Sequence, residues 1–205
     1  MRVEFLLYKK EKSVKTVYKI LSAIIATCLF TFAVLVGVNY VERKFVYPIK
    51  FSEQVNFYAN QYDLNPLFVY SVIKIESSFD KRAKSNKNAK GLMQLTDKTA
   101  GYIAKLKGVE YYDIYDVNTN VSFGCFYLRY LINRFDDEQT ALVAYNAGEG
   151  NVREWLLNKE YSEDGVTLKI IPYKETREYI KKFQKTFSKY NKLYGNILDK
   201  SKNFE

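Results

Sequence analysis

The chain contains no histidine and only two cysteines, Cys28 and Cys125. The first absence excludes Ser-His-Asp and Cys-His nucleophile systems, the HExxH zinc hydrolases and any imidazole general base. The second excludes a Cys-rich zinc site. No GxxxxGK[ST] or GxGxxG run occurs, so a phosphate-cradling nucleotide loop is excluded as well. Acid–base work falls to Asp, Glu, Lys and Tyr. Proline is scarce, with three residues in 205, and glycine little commoner at nine. What is abundant is aromatic: nineteen tyrosines and fourteen phenylalanines in a chain that is 47% hydrophobic, far from a disordered composition. Tyrosine offers an apolar face with a polar tip, which suits interfaces and clefts.

Residues 20–38 read ILSAIIATCLFTFAVLVGV, and no charge occurs between Lys19 and Glu42. At ~1.5 Å per residue such a helix nearly spans the ~30 Å hydrocarbon core of a bilayer. A cleaved signal peptide has a shorter apolar region and a small-x-small site after it, whereas this run passes into Asn-Tyr-Val-Glu-Arg-Lys. The expectation is an uncleaved anchor over 20–41. Six basic and two acidic residues precede it, against three basic residues between 42 and 56. The positive-inside rule then puts a basic tail, 1–19, in the cytoplasm and everything after the anchor on the outer side. Cys28 in the bilayer cannot pair with Cys125 outside it. The formal charge of +9 suits an anionic wall or membrane surface, and an exported domain argues against nucleic acid.

Beyond a juxtamembrane linker, 42–52, strand-like alternation is nearly absent and helix signals are dense. Residues 52–62 read as one helix. Asn65-Pro66 caps and opens another that runs to about Phe79. Thr96 caps one over 97–106, and Asn118 a longer one with Val121, Cys125, Leu128, Ile132 and Phe135 on one face. Asp136 caps a helix that stops at Ala147-Gly148. The last helix carries Ile180, Phe183, Phe187, Tyr190 and Tyr194 at spacings of 3 and 4. Residues 157–172 read as a surface loop or small hairpin, and 196–205 as a polar tail. The fold class is mostly α, with one domain over 53–195.

One helix ends on Glu76, with Val72 and Ile73 on its face and Phe79 beyond. A carboxyl among apolar side chains is costly to ionise, so its pKa rises and it becomes a competent general acid near neutral pH. Ala89 and Gly91 permit close backbone approach, and Gln94 offers a donor and an acceptor. Tyr145-Asn146 at a helix end can stack on a sugar and bond its substituents. Glu175 and Tyr179 lie one turn apart.

Ile75-Glu76-Ser77-Ser78-Phe79, Gly91-Leu92-Met93-Gln94-Leu95, Ala144-Tyr145-Asn146-Ala147-Gly148 and Glu175-Thr176-Arg177-Glu178-Tyr179 resemble, in order and spacing, the four motifs of the SLT-type lytic transglycosylases. The likeness covers about residues 53–190. It implies a lysozyme-like, goose-type fold behind a single transmembrane helix, in the bacterial cell membrane. The implied substrate is the glycan strand of peptidoglycan, cut without metal or cofactor. By resemblance Glu76 is the single catalytic acid and base, and Ser85 is the family serine near it. Met93, Gln94, Tyr145, Asn146, Glu175 and Tyr179 fall among residues that bind the glycan or support the catalytic group. Two positions depart from the pattern: Asn88 replaces a glycine, and Asp97 stands where proline is common. A hydrolytic muramidase on the same fold would need a second carboxylate, for which Asp80 and Asp97 are the candidates. A wall-binding module of a membrane complex is the non-enzymatic alternative.

Overall fold

A computed structural model describes residues 1–201, with side chains described for 1–3 and 15–195. The chain divides into two compact units, Met1–Pro48 and Ile49–Glu205. The first is a single helix, α1, over Arg2–Val41, closed by one wider turn at Glu42–Val46 in which Tyr47 N–H reaches the Glu42 carbonyl at 2.7 Å. The segment Lys15–Val46 is long and apolar enough to cross a membrane. Within its uncharged stretch the hydroxyls of Ser22, Thr27 and Thr31 and the amide of Asn39 donate to carbonyls three or four residues back. That removes the penalty an unbonded polar group would carry in hydrocarbon.

The second unit is built of helices joined by irregular segments, the longest over 78–96 and 158–173. Helices α2 (Ser52–Gln61), α3 (Pro66–Ser77), α4 (Asp97–Lys107), α5 (Val117–Phe135), α6 (Glu138–Ala147), α7 (Glu149–Leu157) and α8 (Lys174–Ser201) follow in order. Among the described residues the only β pairing is two isolated bridges, Lys84 to Lys90 and Lys90 to Leu95. Helix α3 packs on α8 and α2, and α5 on α6, α2 and α4. Tyr70, Ile73, Leu128, Leu131 and Tyr190 are fully enclosed between them. Phe68 of α3 meets Phe183 and Phe187 of α8, the register that brings the far ends of these two helices together at Glu76 and Tyr179.

The caps act as local chemistry dictates. Asn65 Oδ1 accepts from Leu67 N–H at 2.8 Å, with Pro66 at the first helical position. Thr96 Oγ1 accepts from Thr99 N–H at 3.1 Å. Two expected caps move. Helix α5 starts earlier, on Asp116, whose carboxylate takes Thr119 N–H, and not on Asn118. Helix α6 is capped by Asp137 through Thr140 N–H, because Asp136 is used in a left-handed conformation (φ 53°) to end α5. Gly148 ends α6 as expected, but α7 begins at the next residue, a helix the sequence reading lacks. Residues 158–173 form an irregular loop with no strand, held by Asp164, which accepts from Val166 and Thr167 N–H and the Thr167 hydroxyl. Helix α8 passes residue 195 without a break. The last four positions of the expected polar tail, 202–205, lie outside the described residues.

Candidate active site

Glu76 sits on the last turn of α3, and the backbone beyond it departs sharply from helical geometry. Ser78 and Phe79 both take positive φ, 51° and 67°. For a bulky phenylalanine this is an outlier of the kind that concentrates at functional sites. Its ring is held in place by burial, 4% exposed, beside Tyr70. The irregular chain from 78 to 96 then folds over the helix end. Ser77 Oγ donates to Leu92 O at 2.8 Å, tying α3 to that segment.

The Glu76 carboxyl is partly buried, and loss of hydration pushes its pKa up to about 7. One interaction opposes the rise: the Tyr179 hydroxyl donates to Glu76 Oε1 at 2.8 Å. Tyr179, near the start of α8, is itself buried, so its phenol is raised well above its usual range by desolvation and then by the neighbouring carboxylate. Tyr145 is raised in the same way, first by burial and second by the charge of Glu76. Both phenols therefore stay protonated donors. The Tyr145 hydroxyl donates to Met93 O at 2.6 Å, and its ring packs on Tyr127 with centroids 5.8 Å apart. Glu76, Tyr179, Tyr145 and the Met93 carbonyl thus come from α3, α8, α6 and the 78–96 segment.

The remaining expected residues are placed differently. Met93 is fully buried; a Cβ on Gly124 of α5 would lie 2.2 Å from its sulfur, so the side chain lies flat against that glycine and only its backbone faces Tyr145. Gln94, at φ 48°, folds its amide back onto the carbonyls of Gly91 and Ala83. Ser85 Oγ accepts from Ala89 N–H at 3.0 Å and so closes its own turn. Asn146 is part-exposed and makes no side-chain hydrogen bond within the described residues. Glu175 is exposed and pairs with Lys87 at 2.8 Å, bridging the start of α8 to the 78–96 segment.

Neither spare carboxylate is at the site. Asp80 is exposed and caps its own turn through Arg82 N–H. Asp97 is held by Lys90 at 2.6 Å and by Asn88 Nδ2 at 2.7 Å. The two departures from the family pattern therefore bond to each other. Asn88 adopts the left-handed geometry (φ 61°) that a glycine would supply, and its amide then fixes the Asp97 carboxylate.

One organising residue carries no sequence signal. Asn120, 1% exposed on α5, accepts from Met93 N–H at 2.8 Å and donates to Ile114 O at 2.8 Å and Lys90 O at 3.0 Å. Read along the chain it is one more polar residue in the Asn-Thr-Asn start of a helix. Only the folded loop shows that it anchors the segment that receives Tyr145.

A family profile described as "Transglycosylase SLT domain" matches residues 53–166. The chain is 31% identical over 149 residues to a soluble lytic murein transglycosylase of Salmonella typhimurium, covering 70% of this chain and 23% of that protein. It is 38% identical over 103 residues to the membrane-bound lytic murein transglycosylase F of Desulfosudis oleivorans, covering 47% of this chain and 21% of that one. Among solved structures, the 70-kDa soluble lytic transglycosylase of Escherichia coli superposes with a TM-score of 0.63 at 26% identity, over 73% of this chain and 25% of that chain. A 70-kDa soluble lytic transglycosylase in complex with bulgecin A gives 0.64. The chain thus matches about a quarter of the length of these relatives.

Proposed function

Since the chain belongs to the transglycosylase SLT domain family, we propose that it is a peptidoglycan lytic transglycosylase whose single catalytic group is Glu76. The observation that carries this reading is a lone, partly buried carboxyl with its pKa pushed up to about 7, hydrogen-bonded to one phenol and, among the described residues, with no second carboxylate beside it. A group that must first donate and then accept a proton works best with its pKa near the working pH.

In this reading protonated Glu76 gives its proton to the oxygen linking N-acetylmuramic acid to N-acetylglucosamine, and the C1–O bond breaks with oxocarbenium character. The acetamido oxygen of the substrate stabilises C1. The Glu76 carboxylate then takes the proton of the muramic acid C6 hydroxyl, whose oxygen closes onto C1 as a 1,6-anhydro ring. Asn146 and Glu175 contact the glycan, while Tyr145, Gln94, Met93 and Ser85 shape the cleft. The membrane-bound relatives and the apolar helix support an anchored enzyme. In that arrangement residues 1–19 lie in the cytoplasm, 20–41 span, 42–52 link, and the 53–195 domain works on the outer side, with 196–205 as its tail.

The water question decides between lyase and hydrolase. Digestion of peptidoglycan in ¹⁸O-water is expected to give new muramic acid ends without label and one water lighter than lysozyme products. Label at C1 in most products would establish hydrolysis.

The Tyr179 hydrogen bond sets the pH range. Cleavage needs protonated Glu76, so kcat/KM falls as pH rises through its pKa. The phenol donates to the charged form and holds that pKa down. Tyr179→Phe removes a hydrogen bond to a charged group, ~1.5–3 kcal/mol, and is expected to move the alkaline limb upward by about one to two pH units. An unmoved limb, or one displaced downward, would remove this role from Tyr179.

A further inference from the structure

Helix α8 carries more positive charge on one face than its role in the core requires. At ~3.6 residues per turn, Lys181, Lys182, Lys185, Lys189 and Lys192 fall within a sector of about 100°. Tyr179, Phe183 and Tyr190 are buried on the other side. Lys181, Lys182, Lys185 and Lys192 are exposed, and none makes an ion pair within the described residues. Elsewhere on the domain Lys87 and Lys90 are each matched to a carboxylate. Glu178, an acid on the lysine sector, has Lys174 within 4.0 Å.

Beside this face the preceding loop presents apolar side chains. Arg177 donates to the carbonyls of Ile171 and Pro172 at 2.6 and 2.7 Å, which pins the end of the loop along the helix. The result is an open groove of about 350 Å³ in which Leu168, Ile170 and Ile171 alternate with Lys169, Arg177 and Lys181. Ile170 is 45% exposed and Tyr173, next to the groove, 48%. Lysines framing exposed isoleucine and tyrosine match the chemistry of an interfacial membrane contact: cations for lipid phosphates, apolar tips for the acyl boundary.

We propose that the α8 lysine face and the 168–173 loop dock the domain on an anionic phospholipid bilayer. This rests on the membrane-anchored reading above. A chain that carries its own bilayer-spanning segment keeps lipid headgroups at high effective concentration, and so favours lipid over a diffusible polyanion. Docking holds the domain in one orientation on the bilayer.

The test uses the full chain with Cys28→Ser and Ile170→Cys, since Cys125 is enclosed and inert to label. A polarity-sensitive thiol dye on position 170 is read in lipid nanodiscs of pure phosphatidylcholine and in discs that also contain phosphatidylglycerol. Expected is a blue shift with a several-fold rise in intensity in the anionic discs only. It should be lost in high salt and in a Lys181, Lys182, Lys185 and Lys192→Gln variant that keeps its circular dichroism and its cleavage of soluble glycan. Equal spectra in both discs, or an unchanged response in the glutamine variant, would overturn the proposal. So would a response to soluble polyglycerol phosphate but not to anionic discs, which would assign the face to a wall polymer. A chain that fails to enter discs would remove the anchored reading and the docking with it. The docking readout is dye fluorescence and glycan cleavage enters only as a control on the variant, so a failure of docking leaves the proposed reaction untouched.

Discussion

Glu76→Gln is expected to lower glycan cleavage by at least ~10³-fold, in line with the loss of a general acid that also serves as base. The amide keeps the shape of the carboxyl and can still accept from the Tyr179 hydroxyl, so the fold and glycan binding should persist. The stability effect has a definite sign. The folded carboxyl has its pKa raised from 4.5 to about 7, so the folded state holds a proton that the unfolded chain releases across that window. Stability is therefore fully present below about 4.5 and lost as pH rises toward 7 and beyond. The difference, at ~1.4 kcal/mol per pH unit, sets an upper bound of about 3.5 kcal/mol for the burden of an ionised Glu76. The glutamine variant escapes it. At pH 8 it should unfold at a higher temperature than the parent, and near pH 4 the two should converge. Dead enzyme with a raised Tm at pH 8 marks a group kept at a stability cost for its chemistry. Activity retained above a hundredth of the parent would remove Glu76 from the reaction.

The parts of this structure that were legible in sequence are those decided within a few residues. Asn65 and Thr96 cap their helices because each side-chain oxygen needs only a backbone N–H two or three positions on. Where two cap-competent residues adjoin, the choice depends on what comes before. Asp136 is consumed by the left-handed end of α5, so Asp137 starts α6, and no local rule ranks them. Helix α7 was hidden because Gly148 is a sound stop signal and nothing in its own chemistry says that a helix resumes at Glu149. The site shows the same division. An apolar helix ending on Glu76 already implied a raised pKa. That the phenol beside it is Tyr179, and that Tyr145 bonds a carbonyl while Met93 turns its side chain onto Gly124, follow from helix packing over long sequence separations.

Asn120 is the extreme case of that non-local information, and Asn120→Ala should be among the most damaging substitutions outside the reacting groups. The change leaves Met93 N–H and Ile114 O without their partner in a buried site; Lys90 O retains a bond from Leu95 N–H. Two orphaned groups at ~1–3 kcal/mol each, before any cavity term, give a loss of roughly 2–6 kcal/mol. That is a large share of the ~5–15 kcal/mol by which a domain is stable. Asp at the same position is no rescue. Its carboxylate could still accept from Met93 N–H, but it would face the Ile114 and Lys90 carbonyls with acceptors only. Crowding the site from the other side should have a related effect: a Cβ on Gly91, already at φ 76°, would lie 2.2 Å from the Asn120 amide nitrogen. The functional consequence follows through Met93. Its N–H is anchored by Asn120, and its carbonyl receives Tyr145, so freeing the 91–95 segment moves a phenol in the electrostatic field of Glu76. Thermal unfolding together with pH–rate profiles separates the two effects. Asn120→Ala and Gly91→Ala should both lower Tm by many degrees, and at temperatures where they remain folded, kcat should fall more than KM rises. A variant that unfolds like the parent, or that loses Tm while keeping full kcat, would show that the loop is not held through Asn120 to the catalytic group.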